Sequence, residues 1–359
     1  MTVQQPIAPA APQMLETTYH HSAFAQGDLA VRLTATRDGR PCLQAAGEGG
    51  VLAEAVLLPG ADHPPGLEAF RFRVGALEEA AMVAVLVEAA FMRMPEAEEL
   101  LLPEPAELPA ASVLATASRT VDGGLRHAVA RRQFYQLPLL WRYQANHAAY
   151  PCLRSSLGPD DRLPPLRPPR PVGTLYERWL PELGMALSFR PIERKRDLAL
   201  FHEWMNAPRV DFYWELAGSE AEHDEYLAKQ EADPHIFGVI GSFDGEPAAY
   251  FEFYWAKEDR LGPYYEAEDF DRGWHGLIGN KRHLGRPKTL AWFRSLTHYL
   301  FLDEPRTRRV VGEPRASHKR MLSYSSDTGY VKVKEFDFPH KRAALMCCER
   351  ETFFREVVL

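Results

Sequence analysis

The alternation of apolar and polar residues is clearest in the second half of the chain. MALSFRPI, which begins at Met185, alternates as a strand does. RDLALFHEWMN then places Leu198, Phe201 and Met205 at helical spacing, and Asp197 is suited to a helix start. The polar segment EAEHDEYLAKQEAD follows. The pattern predicts one strand and then two helices.

Two strands joined by a tight turn are predicted next. IFGVIGSFDGEPAAYFEFYW contains Asp244 and Gly245 at its centre, and an Asp-Gly pair tolerates the positive φ of a hairpin turn. WHGLIG then indicates a strand, LAWFRSLTHYLFL a helix, TRRVVGE a short strand and SHKRMLSYSSDTGY a helix. VKVKEFDF and RAALMCCE complete the pattern. Residues 185–349 therefore read β α α β β β α β α β β.

The rest of the chain divides by composition. Residues 1–14 are predicted to be a disordered leader, and residues 15–157 a small α+β domain with strand-like runs such as LAVRLTA and a helix at LEEAAMVAVLVEAAF. The proline-rich run GPDDRLPPLRPPRPVG, residues 158–173, favours an extended linker. Residues 174–359 form the second predicted domain. The predicted fold class is α/β of the α+β kind.

Composition and charge exclude several classes of protein. The chain has 359 residues, 46% hydrophobic and 25% charged, with a formal net charge of −7. The negative net charge argues against general nucleic-acid binding, which needs a basic face. No export signal is evident, and AAMVAVLVEAAFM is too short to span a bilayer and is broken by Glu88. The four cysteines, Cys42, Cys152, Cys347 and Cys348, lack CxxC spacing. We expect a cytoplasmic protein without zinc, nucleic acid or membrane as partner.

The segment between WHGLIG and the following helix has the chemistry of a diphosphate site. RHLGRP supplies Arg282, Gly285 and Arg286, and Lys288 follows just inside the helix. Backbone N–H groups and the partial positive charge of a helix N-terminus bind phosphate, and glycine permits close approach. A solvated basic loop is the competing interpretation.

The order of elements and this loop together resemble the Gcn5-related N-acetyltransferase (GNAT) superfamily. Its loop motif, [R/Q]xxGx[G/A], is matched by Arg282 and Gly285, whereas Pro287 stands where Gly or Ala is usual. YFEFYWAKEDRLGPYYEAEDFDRGWHGLIG and HYLFLDEPRTRRVVGEPRASHKRM resemble the branch that acylates N-hydroxylated amines in siderophore assembly, which includes the aerobactin N-hydroxylysine acetyltransferases and the mycobactin lysine N-acyltransferases. The resemblance covers roughly residues 185–348.

The resemblance implies a GNAT-type C-terminal domain, with a mixed, mostly antiparallel sheet flanked by helices. It implies an acyltransferase that uses acetyl-CoA or another acyl-CoA as co-substrate, without a metal, and forms a hydroxamate on N-hydroxyornithine or N-hydroxylysine. Acylation of an ordinary amine and a non-catalytic acyl-CoA-binding module are the alternatives. A homodimer is compatible with the resemblance. Residues 15–157 could be a degenerate copy of the fold, a dimerisation surface or a cover for the acceptor.

Two catalytic residues are expected. His275 is the candidate base because imidazole titrates near neutrality, and a structural histidine is the alternative. Tyr324 lies near the position where relatives place a tyrosine that protonates the leaving thiolate, although a packing role is equally compatible. Relatives carry Asp-Asn after GEPRA, where this chain has Ser317 and His318, so Asp271 or Glu313 would have to replace the missing carboxylate.

Two sets of binding residues complete the predicted site. Glu252 and Tyr254 share one face of a strand, with Glu252 suited to an ammonium group and Arg260 to a carboxylate. A strand-exit salt bridge is the alternative for Glu252 and for Arg260. His283, His298 and His340 are interpreted as surface or capping residues. The acyl-CoA set is Ile278, Arg282, Gly285, Arg286, Lys288 and Thr289, and the acceptor set is Arg209, Trp214, Glu252, Tyr254 and Arg260.

Overall fold

The computed structural model describes residues 17–19, 29–60, 63–104, 106–141, 164–357 and 359. They belong to two compact units. Of the described residues, the N-terminal unit comprises those up to Ala128 and the C-terminal unit those from Val129 onward. The predicted leader, residues 1–14, lies outside the described residues. None of the described helices is long and apolar enough to cross a membrane.

A single long helix and a sheet make up most of the N-terminal unit. Its helix, ALEEAAMVAVLVEAAFMR, contains the run predicted to be helical and is almost fully buried from Met82 to Phe91. The elements are β1 (Thr17–Tyr19), β2 (Leu29–Ala35), β3 (Pro41–Gly47), β4 (Gly50–Leu58), β5 (Gly66–Phe72), α1 (Ala76–Arg93), β6 (Glu99–Leu102), a 3₁₀ turn (Pro109–Val113), β7 (Ala117–Val121) and β8 (Gly124–Ala130), whose last residues cross into the C-terminal unit.

The C-terminal unit contains all the predicted elements of residues 185–349. Its elements are α2 (Arg131–Phe134), β9 (Tyr176–Leu180), β10 (Met185–Pro191), α3 (Arg194–Met205), α4 (Pro208–Trp214), α5 (Glu220–Ala232), β11 (Ile236–Phe243), β12 (Glu246–Trp255), β13 (Arg272–Ile278), α6 (Arg286–Asp303), β14 (Arg309–Gly312), α7 (Lys319–Ser326), β15 (Val331–Asp337), β16 (Arg342–Glu349) and α8 (Arg350–Glu356).

The two sheets have the same strand order. Among the described residues the first runs β1-β2-β3-β4-β5-β6-β8-β7, and the second, read from β9, runs β9-β10-β11-β12-β13-β14-β16-β15. In each sheet one parallel pair, β5 with β6 or β13 with β14, interrupts antiparallel pairing. A helix of 18 residues, α1 or α6, connects the parallel strands. The α+β class is confirmed.

Aromatic packing of α6 on the sheet forms the core of the C-terminal unit. The ring centroids of Trp292 and Phe251 lie 5.4 Å apart, and those of Tyr299 and Phe253 lie 5.5 Å apart. Phe251 and Phe253 thus share the face of β12 that packs on α6, which is consistent with the alternation of a strand. Residues between them, including Glu252, project from the opposite face, where the candidate site lies.

Several elements were missed by periodicity. β9, α4 and α8 are short, and α4, which begins at Pro208, follows α3 after a turn of only two residues. β6 lies in the acidic, proline-containing run after α1, where no strand was predicted. His283 and His298, interpreted as surface or capping residues, are buried at 4% and 0% exposure, so neither is a surface residue.

The predicted linker lies partly outside the described residues. Its described part, residues 164–173, belongs to the C-terminal unit. Arg167 forms an ion pair with Glu258, and Arg170 donates to the backbone carbonyl of Ile236. This part of the segment therefore packs against the rest of the C-terminal unit. The predicted domain bounds stay a prediction.

Candidate active site

His275 lies between two carboxylates. It is the central residue of β13, and the β12–β13 register places Glu252 directly opposite it. His275 Nδ1 lies 3.0 Å from Glu252 Oε2, and its Nε2 lies 2.9 Å from Glu313 Oε1. Glu313 comes immediately after β14, the parallel neighbour of β13. A carboxylate, that of Glu313, thus lies beside His275 although Ser317 stands where relatives have Asp.

Neutral donors anchor Glu252. Its Oε1 accepts hydrogen bonds from Tyr226 (2.5 Å), Gln230 (2.9 Å) and Tyr250 (3.0 Å). The glutamate is buried at 3% exposure, so these bonds replace the water that the carboxylate loses. Glu252 therefore fixes the orientation of the His275 ring through its contact with Nδ1. Both carboxylate oxygens of Glu252 contact hydrogen-bonding groups of the protein.

Cations anchor Glu313. Arg260 Nη2 lies 3.1 Å from Glu313 Oε1, Lys341 Nζ lies 3.7 Å from the same atom, and Tyr254 donates to Oε2 at 2.9 Å. The Glu313 side chain is 1% exposed, whereas that of Arg260 is 50% exposed. Arg260 Nη2 also lies 3.3 Å from His275 Nε2. The opening of the site thus carries two cations, Arg260 and Lys341, around the buried carboxylate of Glu313.

Burial lowers the pKa of His275, but the carboxylates of Glu313 and Glu252 outweigh that effect and raise its pKa to about 10. Burial raises the pKa of Glu313, while the imidazolium of His275 and the nearby Lys341 and Arg260 hold that pKa well below its usual range. The arrangement is therefore an imidazolium between two carboxylates at neutral pH. A free imidazole base at rest, as the sequence suggested, is not what the geometry favours.

The strands beside His275 separate. β13 and β14 pair only at Arg272 with Val310 and at Gly273 with Val311, so β13 has no registered partner on that side from Trp274 onward. A Cβ on Gly273 would lie 2.2 Å from the ring of Tyr254. Glycine at this position lets Tyr254 lie against β13 and reach Glu313. The separation exposes one edge of β13 next to the histidine.

The loop at the end of β13 has the form expected of a diphosphate site. Asn280 caps the 3₁₀ turn Lys281–His283, and Gly285, with φ 127°, precedes α6. Its missing Cβ would point into open space. Pro287 lies in the first turn of α6, where an N–H has no intrahelical acceptor, so the proline costs the helix no internal bond.

The basic residues of this loop are exposed and partly paired. Arg282, 76% exposed, contacts Glu246, and Arg286, 59% exposed, lies 2.8 Å from Asp327. Lys288 Nζ lies 2.9 Å from His283 Nδ1. The remaining two predicted acyl-CoA residues flank the loop: Ile278 ends β13, and the Thr289 hydroxyl donates to Gly285 O at 2.9 Å. The loop has a charge suited to a diphosphate, and two of its cations, Arg282 and Arg286, are paired with carboxylates.

The predicted acceptor residues divide into two groups. Trp214 is the last residue of α4, and its ring centroid lies 6.5 Å from that of His275. The ring centroids of Tyr254 and His275 lie 4.7 Å apart. Both residues therefore lie at the site, with Glu252 and Arg260. Arg209 instead donates to the backbone carbonyls of Ile278 (2.5 Å) and Gly279 (3.2 Å) at the end of β13. It lies on the side of the predicted acyl-CoA loop.

α4 is held against the loop after β14. Tyr213 stacks on His318 with ring centroids 4.5 Å apart, and Arg315 pairs with Glu215. His318 also caps α7, which carries the half-buried Tyr324. His318, one of the two positions that depart from the relatives' Asp-Asn pair, therefore contacts α4. Asp271, the other carboxylate considered, pairs with Arg309 instead, with 2.6 Å between Oδ2 and Nη2.

Sequence reasoning missed part of this site. Tyr226 and Gln230 lie on α5, and Lys341 lies directly before β16; nothing in their local sequence marks them. Glu313 was one of the two carboxylates named from the sequence, and it lies beside His275 because it directly follows a short strand that pairs with β13. No group of metal-binding side chains occurs among the described residues.

Comparison with known proteins gives the class of the chain. Residues 193–338 match the acetyltransferase (GNAT) domain family. The chain is 42% identical over 228 residues to a putative lysine N-acyltransferase of Schizosaccharomyces pombe, covering 63% of this chain and 67% of that protein. The protein therefore belongs to the GNAT family and is an acyl-CoA acyltransferase.

Two further relatives define the branch. An N(6)-hydroxylysine O-acetyltransferase of Escherichia coli is 42% identical over 229 residues, covering 64% of this chain and 72% of that protein. A hydroxyornithine transacylase of Ajellomyces capsulatus is 45% identical over 197 residues, 54% of this chain and 45% of that protein. The chain thus spans about half the length of the transacylase. It belongs to the siderophore-biosynthesis branch of the family, as its motifs predicted.

Proposed function

We propose that this protein transfers an acyl group from acyl-CoA to the nitrogen of an N-hydroxylated diamino acid, N-hydroxylysine or N-hydroxyornithine. The observation that carries the proposal is His275, held by two carboxylates beside an exposed Arg260 where β13 and β14 separate. The relatives named for hydroxylysine and hydroxyornithine support the choice of acceptor. Such an enzyme would act in the cytoplasm, where acyl-CoA is available. A homodimer stays a prediction.

The donor would lie along the exposed edge of β13. Gly285, Arg286 and Lys288 would hold its diphosphate at the start of α6. Arg282 would contribute after exchanging Glu246 for phosphate. Acyl-CoA supplies the activated thioester carbonyl when it is bound. The separated strands would place that carbonyl beside the histidine, because Trp274 and His275 are the first residues of β13 without a registered partner on β14.

The acceptor would approach His275 from the side of Arg260 and Trp214. The α-carboxylate would bind Arg260, whose side chain is half exposed, as a charge-assisted pair. Trp214 would cover the aliphatic chain of the acceptor. Glu252 would act through His275, because its oxygens are already engaged by protein donors.

His275 Nε2 is the nitrogen that would take the proton. Nδ1 is fixed by the anchored Glu252, whereas Glu313 already shares its charge with Arg260 and Lys341. When the hydroxylamine nitrogen replaces Glu313 at Nε2, one carboxylate instead of two supports the imidazolium. The pKa of His275 then falls from about 10 toward neutrality, and the ring becomes a usable base.

The bond changes follow from direct attack. The hydroxylamine nitrogen forms a bond to the thioester carbon, the C–S bond breaks, the nitrogen proton passes to His275, and CoA leaves as a thiolate that Tyr324 would protonate. An N-hydroxylated amine is largely neutral at pH 7, so modest base assistance is sufficient. Such a step needs neither a cysteine nucleophile nor a covalent enzyme intermediate.

The test measures two products with four acceptors. Free thiol released from acetyl-CoA is followed with N-hydroxylysine, N-hydroxyornithine, lysine and ornithine, and ferric complexation measures the hydroxamate. We expect thiol and hydroxamate in equal amounts, with the hydroxylated acceptors at least about tenfold better in kcat/KM. Equal rates with lysine would favour an ordinary amine acyltransferase. Thiol release without a hydroxamate would indicate transfer to oxygen, the atom in the E. coli relative's name.

A further inference from the structure

The loop that carries Arg260 is fixed by ion pairs on the three residues before it. Residues 256–271 connect β12 to β13 and bring Arg260 to the mouth of the site. Lys257 and Asp269 close this loop on itself. The three pairs, with their nitrogen–oxygen distances, are Lys257–Asp269 (2.6 Å), Glu258–Arg167 (2.5 Å) and Asp259–His235 (3.6 Å). The three ion pairs thus hold the backbone that leads to Arg260 and its guanidinium.

The pair between Arg167 and Glu258 is the most buried of these. Arg167 Nε and Nη2 donate to the two Glu258 oxygens at 2.5 and 2.7 Å, a bidentate geometry. The side chains are 3% and 9% exposed. Arg167 comes from the proline-rich segment, 91 residues away in sequence. A segment expected to act as a linker therefore anchors the acceptor side of the site.

Arg167 also contacts the strands of the site. Its guanidinium carbon lies 4.2 Å from the centroid of the Trp255 ring, and that of Arg272 lies 4.1 Å from the same centroid. Trp255 is the last residue of β12, and Arg272 the first of β13. Arg167 thus joins the loop to the ends of the two strands that carry Glu252 and His275.

We propose that Arg167 is a positioning residue that sets Arg260 for the carboxylate of the acceptor. This rests on the proposed function, in which Arg260 binds that carboxylate. Glu258 is two residues before Arg260, so movement of Glu258 displaces the guanidinium from His275. A displacement of about 1 Å in a positioning group can change a rate by up to about 10²-fold. A merely structural role for Arg167 would alter stability without selecting among acceptors.

The test separates these roles by removing the carboxylate from the acceptor. Arg167→Lys keeps the charge but loses the bidentate geometry, and Glu258→Gln weakens the pair from the other side. Each is compared with Arg260→Ala and with a control in the same segment, Leu166→Ala. Leu166 is 45% exposed. The acceptors are N-hydroxylysine and N-hydroxycadaverine, the same hydroxylamine without the carboxylate.

For Arg167→Lys and Glu258→Gln we expect the KM for N-hydroxylysine to rise about tenfold. We expect the KM for N-hydroxycadaverine and for acyl-CoA to change less than about twofold, the pattern of Arg260→Ala. An equal rise with both acceptors, or no rise with either, would overturn the proposal. The thermal unfolding midpoint shows that each variant is folded before its kinetics are compared.

A second readout needs no substrate. Leu261 N–H donates to Asp259 Oδ1 and Gly262 N–H to Asp259 O, both at 2.9 Å. We expect hydrogen exchange at these two amides to be faster in Arg167→Lys than in the wild type, and unchanged in Leu166→Ala. Failure of the wild type on every hydroxylated acceptor would refute the proposed function. Unchanged exchange in Arg167→Lys would refute the anchoring by Arg167.

Discussion

The parallel strands β5 and β6 of the N-terminal unit occupy the same place in strand order as β13 and β14 of the C-terminal unit. In both, registered pairing stops early, at Gly66 with Leu101 and at Gly273 with Val311. The chemistry beyond that point differs. The described N-terminal unit thus shares the strand order of the C-terminal unit without its reactive groups, and the idea that it is a degenerate copy of the same fold stays a prediction.

Counting from the last parallel pair shows the difference. Two residues after Gly273 is His275, and two after Gly66 is Glu68, which pairs with Arg40 at 2.8 Å. The residue opposite Glu68 on β4 is Val56, where β12 has Glu252. No imidazole and no buried carboxylate face each other there. The separation of two parallel strands is therefore compatible with catalysis but is not sufficient for it.

The loops before the two long helices differ in the same sense. Residues 73–75 join β5 to α1, and Gly75 has φ −69°, a conformation open to any residue. Residues 279–285 join β13 to α6, and Gly285 has φ 127°. The sequence after Gly75, ALEEAAM, has no basic residue, whereas RPKT follows Gly285. Only the second loop has a backbone and a charge suited to phosphate.

The largest expected effect is at the histidine. His275→Gln should lower kcat by on the order of 10²-fold, because a positioned base contributes at least that factor. Its counterpart Glu68→Gln should leave kcat within about twofold, since its side chain bonds only a surface arginine. Thiol release at saturating acyl-CoA measures both. A near-normal rate for His275→Gln would make the histidine structural, and a loss in Glu68→Gln would give the N-terminal unit a part in catalysis.

Much of this comparison could not be read from the sequence. Periodicity found α1, α6 and most strands, because each buries one regular face. It found neither β6, which is hidden in an acidic run, nor the shared strand order, which depends on pairing between distant segments. His275 and Arg260 could be predicted, since their motif is local. Tyr226 and Lys341 could not, because only tertiary packing brings them to the carboxylates.

The second expected effect is at the glycines before the two helices. Gly285→Ala forces an L side chain toward φ 127°, at a cost of about 1–3 kcal/mol, which should raise the KM for acyl-CoA about tenfold or more. Gly75→Ala should leave that KM unchanged and the unfolding midpoint unchanged or higher. Initial rates at varied acyl-CoA measure the first, and calorimetry the second. Equal KM values for the two variants would argue that the diphosphate binds elsewhere.

A smaller effect is expected in the pH dependence of kcat/KM, which reports the free enzyme. With the pKa of His275 at about 10, the base form grows as pH rises, so kcat/KM should climb from pH 7 to about 10. Glu313→Gln removes one of the two carboxylates that raise this pKa, so the climb should end at lower pH. The exposed Glu335→Gln is the control. A Glu313→Gln profile that coincides with the wild type would show that Glu313 does not hold the proton on His275.

The smallest effect is expected at Tyr324, which lies on α7, where the described part of the N-terminal unit has the 3₁₀ turn Pro109–Val113. A thiolate is a good leaving group near neutral pH, so removing its proton donor costs little. Tyr324→Phe should lower kcat about threefold with an unchanged KM, below the usual range for general acids. Ser323→Ala, its exposed neighbour, is the control. An unchanged kcat would make Tyr324 a packing residue, whereas a hundredfold loss would mean that protonation of CoA limits the reaction.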